Sequence, residues 1–177
     1  MELIKVLFVC HGNYHRSPMA QGLFEKLILD NNLQEKIFCD SAGTACSHGK
    51  IQPHFKTLEI LKKLGINLEH KAKLFRYNHL IDFDYIIAMD HFNIRDIFYI
   101  KKFIKNKKTT SNIFLLRQFD NQIEKSINLN SLDFFTSDKL DVPDPELLKL
   151  LGYETVYEII NNAIENFFKY LKDNHNF

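Results

Sequence analysis

One segment constrains this chain more than any other: Cys10-His11-Gly12-Asn13-Tyr14-His15-Arg16, a cysteine and an arginine separated by five residues. Before it, Leu3-Ile4-Lys5-Val6-Leu7-Phe8-Val9 has six apolar residues in seven, three of them β-branched, which predicts a buried strand. After it, Ser17-Pro18-Met19-Ala20-Gln21-Gly22-Leu23-Phe24-Glu25-Lys26-Leu27 predicts a helix with Pro18 in its first turn. A strand that feeds a helix through so short a turn sets a thiol at the strand end and a guanidinium at the helix start. The backbone N–H groups of the turn then converge on one point. The junction reads as an anion site with a nucleophile in its floor.

The remaining pattern alternates strands with helices. Lys36 to Ser41 reads as a second strand, closed by Ala42-Gly43-Thr44. Pro53 to Leu64 reads as a helix with Phe55, Leu58, Leu61 and Leu64 on its apolar face and Gly65 as its stop. Phe83 to Met89 is a third strand, Asn93 to Ile100 a short helix, and Asn112 to Leu116 a fourth strand. The last helix runs from about Tyr153 to Leu171, with Val156, Ile159, Ile160, Ala163, Phe167 and Tyr170 on one face. This order predicts an α/β fold: a doubly wound parallel sheet of about four strands with helices on both faces, spanning 1–177 as one domain. Ligands of such sheets bind beyond the carboxyl ends of the strands, where the Cys10 turn lies. Lys101 to Lys108, with five lysines, reads as a solvated surface segment, and the polar stretch 119–140 as an insertion or long loop.

Charge excludes several partners. Lys plus Arg exceed Asp plus Glu by 23 − 22 = 1, so nothing argues for nucleic acid. No apolar run is long enough for a membrane span, and Met1-Glu2 leads directly into the first strand without space for a signal peptide. Cys10, Cys39 and Cys46 are an odd set without close spacing, which suits the reducing cytoplasm better than a disulfide framework. The residues carry no signal of oligomeric state.

An ordinary cysteine is only a few per cent thiolate at neutral pH. The N-terminus of the following helix, the turn amides and Arg16 all favour the ionised sulfur. The same groups suit a tetrahedral oxyanion, which the turn from His11 to His15 would surround with N–H groups and Arg16 would grip with its planar fork. Gly12 permits positive φ and Asn13 tolerates it. Ser17 can donate its hydroxyl to the sulfur and ease its departure. A zinc site from Cys10, His11 and His15 fits poorly, because Gly12-Asn13 interrupts any helix there and Arg16 repels a cation. No metal or cofactor is expected.

Cys-x5-Arg-Ser-Pro after an N-terminal apolar strand resembles the low molecular weight protein tyrosine phosphatases. The likeness covers nearly the whole chain: Asp40-Ser41-Ala42-Gly43-Thr44, Gly65 to Lys73 with His70, Phe83 to Asp90, and Asp141-Val142-Pro143-Asp144-Pro145 all resemble segments of that family. The resemblance implies phosphomonoester hydrolysis through a phosphocysteine, with Cys10 as nucleophile and Arg16 as phosphate clamp. Asp144, before the matching proline, would be the general acid, with Asp141 as the runner-up. Ser41, His70 and Asn13 would brace the loop. A phosphotyrosine protein or a small aryl phosphate would be the substrate. Beside a bound dianion a carboxyl group keeps its proton, as a general acid must.

Three departures qualify the likeness. His15 stands where the family usually has a second cysteine, and an imidazolium there would favour the thiolate. Glu146 and Leu147 follow the Asp-Pro pair where two tyrosines commonly wall the cleft, and Tyr14 is the candidate replacement face; His48 stands in the loop after the second strand where an aromatic is common in the family. The alternatives are an arsenate reductase on the same fold, which passes electrons along additional cysteines absent after Thr57, and a phosphate-binding module with lapsed catalysis.

Overall fold

The computed structural model describes residues 3–46, 52–103, 109, 111–123, 135–148 and 152–177. Four strands, β1 (Ile4–Cys10), β2 (Ile37–Gly43), β3 (Tyr85–Ala88) and β4 (Asn112–Leu115), form one parallel sheet in the order β2-β1-β3-β4. On β1, Val6, Phe8 and Cys10 face one side and Leu7 and Val9 the other, and both sides are buried. That double burial is why the strand reads as a continuous apolar run rather than an alternating one. The helices α1 (Arg16–Asp30), α2 (Phe55–Lys63) and α5 (Gly152–Asn174) contribute to the core on one side, and α3 (His79–Asp82) and α4 (His91–Lys102) to the core on the other.

Every residue of α1 from Arg16 to Phe24 is buried, because the helix lies between the sheet and the α2 and α5 helices. The α2 helix begins later than its sequence pattern suggests, and its buried face is Thr57, Ile60 and Leu61. Phe55 and Leu64, expected on the apolar face, are 66% and 36% exposed. Packing against α1 sets the rotation of this helix, so only the middle of the apolar pattern turns inward. Gly65 ends it with φ of 74°, the left-handed geometry that glycine adopts without strain. The α5 helix buries Val156, Ile160, Ala163, Phe167 and Leu171, with Ile159 and Tyr170 at the margin of the same core.

Of the stretch 119–140, Phe119 closes a 3₁₀ turn (Leu116–Phe119) and packs on Phe167, and Asp138–Leu140 forms another such turn. Residues 124–134 of it, Lys105, Lys107 and Lys108 of the lysine-rich segment, and His48 lie outside the described residues. Among the described residues no helix is long and apolar enough to cross a membrane. From β1 the chain steps to β2 on one side and later to β3 on the other, so the crevice at the carboxyl ends of β1 and β3 is the topological switch point. Cys10, the last residue of β1, opens onto it.

Candidate active site

The turn after β1 folds around the Cys10 sulfur. The Asn13 backbone N–H donates to Sγ at 3.2 Å and the Ser17 hydroxyl donates to it at 3.0 Å. Asn13 holds φ of 52°, so it is Asn13 rather than Gly12 that takes the left-handed position. Its side chain fixes that geometry: Nδ2 donates to the hydroxyls of Ser17 (3.0 Å) and Ser41 (2.9 Å), and Oδ1 accepts from the Lys73 N–H (2.9 Å). Ser41 in turn donates to Gln21 Oε1 at 2.7 Å, and His70 Nε2 lies 3.3 Å from the Asn13 carbonyl. The α1 helix starts at Arg16 without a side-chain cap, so its first N–H groups remain directed into the turn. The carboxyl end of β2 supports the turn from beneath. A Cβ on Gly43 would stand 2.6 Å from the His11 carbonyl oxygen and 2.8 Å from the Asn13 nitrogen.

Arg16 is 5% exposed and held from the far side of the crevice. Its Nη1 donates to Asp90 Oδ2 at 2.7 Å and to the Val142 carbonyl at 2.9 Å. Asp90 is itself the N-cap of α4, accepting from the Asn93 N–H at 2.7 Å. Burial opposes the Arg16 charge, but the Cys10 sulfur, Asp90 and Asp144 outweigh it, so proton affinity rises and the guanidinium stays charged.

The two carboxylates of the 141–145 segment play different parts. Asp141 accepts from the His91 N–H (2.8 Å) and faces His91 Nδ1 (2.6 Å), so both its oxygens are engaged with α4. Burial pushes its pKa up, while the contacts with His91 pull it down. Asp144 is turned toward the cradle: Oδ2 lies 3.9 Å from Arg16 Nη2, and Oδ1 accepts from the Glu146 N–H at 3.0 Å. Both line a cleft of about 770 Å³ with His11, Arg16, Phe92 and Leu147. Asn93, fully buried at its base, has no hydrogen-bond partner for its side-chain amide among the described residues.

A sulfur held by the Asn13 N–H and the Ser17 hydroxyl, an anchored guanidinium and a carboxyl across the crevice invite comparison with known proteins. The model of the family described as low molecular weight phosphotyrosine protein phosphatase matches residues 5–176. This chain belongs to that family. It is 38% identical over 165 residues to the low molecular weight protein-tyrosine-phosphatase YfkJ of Bacillus subtilis, covering 92% of each chain. It is 37% identical over 133 residues to the low molecular weight phosphotyrosine protein phosphatase of Rattus norvegicus, covering 73% of this chain and 83% of the relative. The YfkJ crystal structure superposes with a TM-score of 0.80 at 35% identity over 98% of both chains. That of a Drosophila arginine phosphatase does so at 0.80 and 28% identity, over 96% of this chain and 98% of that one.

Within this family member, most of the residues singled out from sequence meet at one place: Cys10, His11, Asn13, Arg16, Ser17, Ser41, His70 and Asp144. The Tyr14 ring packs edge-on to His15 and His54, and among the described residues that line the cleft the aromatic ring is Phe92. His15 does not turn to the sulfur; Nδ1 meets the Tyr153 hydroxyl and Nε2 meets Glu146. Cys39 is buried, with its sulfur 4.0 Å from the Gln21 carbonyl, so it is poorly placed to relay electrons. Three features escaped the sequence reading: the Asp90 anchor, the His91–Asp141 pair and the Phe92 wall. The only local signal was Asp90 standing three residues before Asn93 at a helix start, an N-cap pattern that says nothing about Arg16.

Proposed function

We propose that this chain hydrolyses phosphomonoesters, phosphotyrosine in proteins or small aryl phosphates, through a phosphocysteine intermediate. The observation that carries this reading is the Cys10 sulfur held by Asn13 and Ser17 opposite an Arg16 locked by Asp90 and Val142. The Cys10 thiolate attacks phosphorus in line. The bond to the leaving oxygen breaks as Asp144 gives that oxygen its proton. Asp144, now a carboxylate, takes a proton from water, whose oxygen displaces the sulfur and releases phosphate. Arg16 Nη1 is spent on its anchors, which leaves Nη2 and Nε for phosphate oxygens beside the amides of His11 to His15. Ser17 stabilises the sulfur as it departs, and Ser41 and His70 hold Asn13 in its left-handed turn. No metal or organic cofactor enters these steps.

The substrate ring would lie between Phe92 and Leu147, which are 58% and 81% exposed at the cleft mouth. The odd set of three cysteines suits a reducing cytoplasm.

Turnover of p-nitrophenyl phosphate tests the chemistry. Cys10→Ser should abolish it, and Asp144→Ala should lower kcat/KM by roughly 10²-fold or more for phenyl phosphate, whose poorer leaving group needs the proton. A crippled Asp141→Ala beside a mild Asp144→Ala would overturn the acid assignment. Phosphate binding without any wild-type turnover would leave only a binding module. Because one structural neighbour is named an arginine phosphatase, a phosphoarginine peptide is the comparison substrate. Faster turnover of it than of a phosphotyrosine peptide would replace the aryl substrate class.

A further inference from the structure

His15 is the last residue before α1, and its side chain reaches away from the phosphate cradle. Both ring nitrogens are engaged by elements distant in sequence. Nδ1 lies 2.8 Å from the Tyr153 hydroxyl at the start of α5, and Nε2 lies 3.3 Å from Glu146 Oε1. The ring is seated among others: Tyr14 at 4.7 Å, His54 at 4.9 Å and Tyr153 at 5.6 Å between centroids, with His54 stacked on Tyr153 and Lys56 above the Tyr153 ring. Glu146 also touches the acid, because its backbone N–H donates to Asp144 Oδ1. A continuous path therefore runs from the phosphate loop through His15 and Glu146 to the Asp144 carboxyl.

We propose that His15 and Glu146 form a clasp that docks the acid loop onto the phosphate loop and so sets the position of Asp144. This rests on Asp144 being the general acid. Nε2–H donates to the Glu146 carboxylate whether or not the ring carries a second proton. Tyr153 can donate to Nδ1 of the neutral ring or accept from the charged one, so the link holds in both states. Burial and the nearby Glu146 and Asp144 carboxylates raise the Tyr153 pKa, which keeps its hydroxyl protonated. Glu146 is 61% exposed, so the pair adds little to stability. Its effect lies in orientation: a carboxyl displaced by about 1 Å from the leaving oxygen loses much of its catalytic value. The side chains of His15 and Glu146 thus act by positioning and do not touch substrate.

The readout is dependence on the leaving group, since p-nitrophenolate departs with little help from an acid and phenolate needs it. kcat/KM, which reports the first displacement, is measured for both p-nitrophenyl and phenyl phosphate. Glu146→Ala and His15→Ala should each lower it roughly five- to tenfold for phenyl phosphate and about twofold for p-nitrophenyl phosphate. Glu146→Gln, whose amide oxygen still accepts from Nε2–H, should restore most of the phenyl phosphate rate. In an Asp144→Ala background, Glu146→Ala should have no further effect. Equal losses on both substrates, failure of Glu146→Gln to rescue, or additivity with Asp144→Ala would each overturn the clasp while leaving Asp144 as the acid. If Asp144→Ala alone shows no leaving-group dependence, the acid assignment falls instead.

Discussion

Arg16 is tolerable as a buried cation because the Cys10 sulfur, Asp90 and Asp144 surround it, with Asp90 and the Val142 carbonyl taking its hydrogen bonds. Removing one member of such a pair strands the other, at a cost of about 3–5 kcal/mol. Asp90→Ala should therefore lower Tm and reduce kcat/KM together, whereas a solvent-exposed carboxylate such as Glu59 should be dispensable by both measures. His70 works by a different balance. Burial lowers its pKa below the ordinary 6.5; the Asn13 carbonyl and Asp40 oppose that shift, Lys73 assists it, and the net direction is down. Between the folded and unfolded values the unfolded chain binds more protons. The stability His70 confers is then full above about pH 6.5 and is lost as pH falls through the depressed folded value. The Tm advantage of wild type over His70→Gln should shrink as pH falls below about 6.5, and a constant difference would rule the residue out as an acid-sensitive brace.

At the scale of elements, the site is a contact between the ends of β1, β2 and α1. The phosphate loop lies so close to β2 that Gly43 cannot carry a side chain without pushing on the His11 and Asn13 backbone. Gly43→Ala should displace the cradle and lower kcat/KM by roughly 10²-fold, since a shift of about 1 Å in a reacting group is enough for that. Unchanged kinetics would show that β2 rather than the loop gives way. The α4 helix contributes from the opposite side. Its N-cap Asp90 holds the guanidinium, and His91 holds Asp141, so one helix start fixes both Arg16 and the start of the 141–145 segment.

Across the whole molecule, one face of the sheet is joined to its helices by aromatic packing. Phe167 is fully buried, with ring centroids of Phe119 at 4.9 Å, Phe24 at 5.6 Å, Tyr85 at 5.9 Å and Phe8 at 6.5 Å. It ties α5, the last helix, to α1 and to β1 and β3, which carry the site. Phe167→Ala should cost about 3–5 kcal/mol and lower Tm by roughly 10 °C in a calorimetric scan. A much smaller shift would mean that the neighbouring rings close over the cavity.

Most of the architecture could be read from the chain alone, because short apolar strand runs and helices with regular apolar spacing are local patterns. The Cys10 to Ser17 cradle was readable for the same reason: its nucleophile, clamp, left-handed turn and helix start lie within eight consecutive residues. The α2 rotation was not, since its exposed Phe55 has the same local signature as a buried one. Nor were the partners that complete the site. Arg16 meets Asp90 across 74 positions, His91 meets Asp141 across 50, and His15 meets Tyr153 across 138. Local sequence thus determined the sheet, its helices and a thiol at the strand–helix junction. Which carboxylate anchors Arg16, which is turned toward the cradle and what holds it there were decided by the tertiary structure, because those contacts exist only once separate crossovers bring their loops to one end of the sheet.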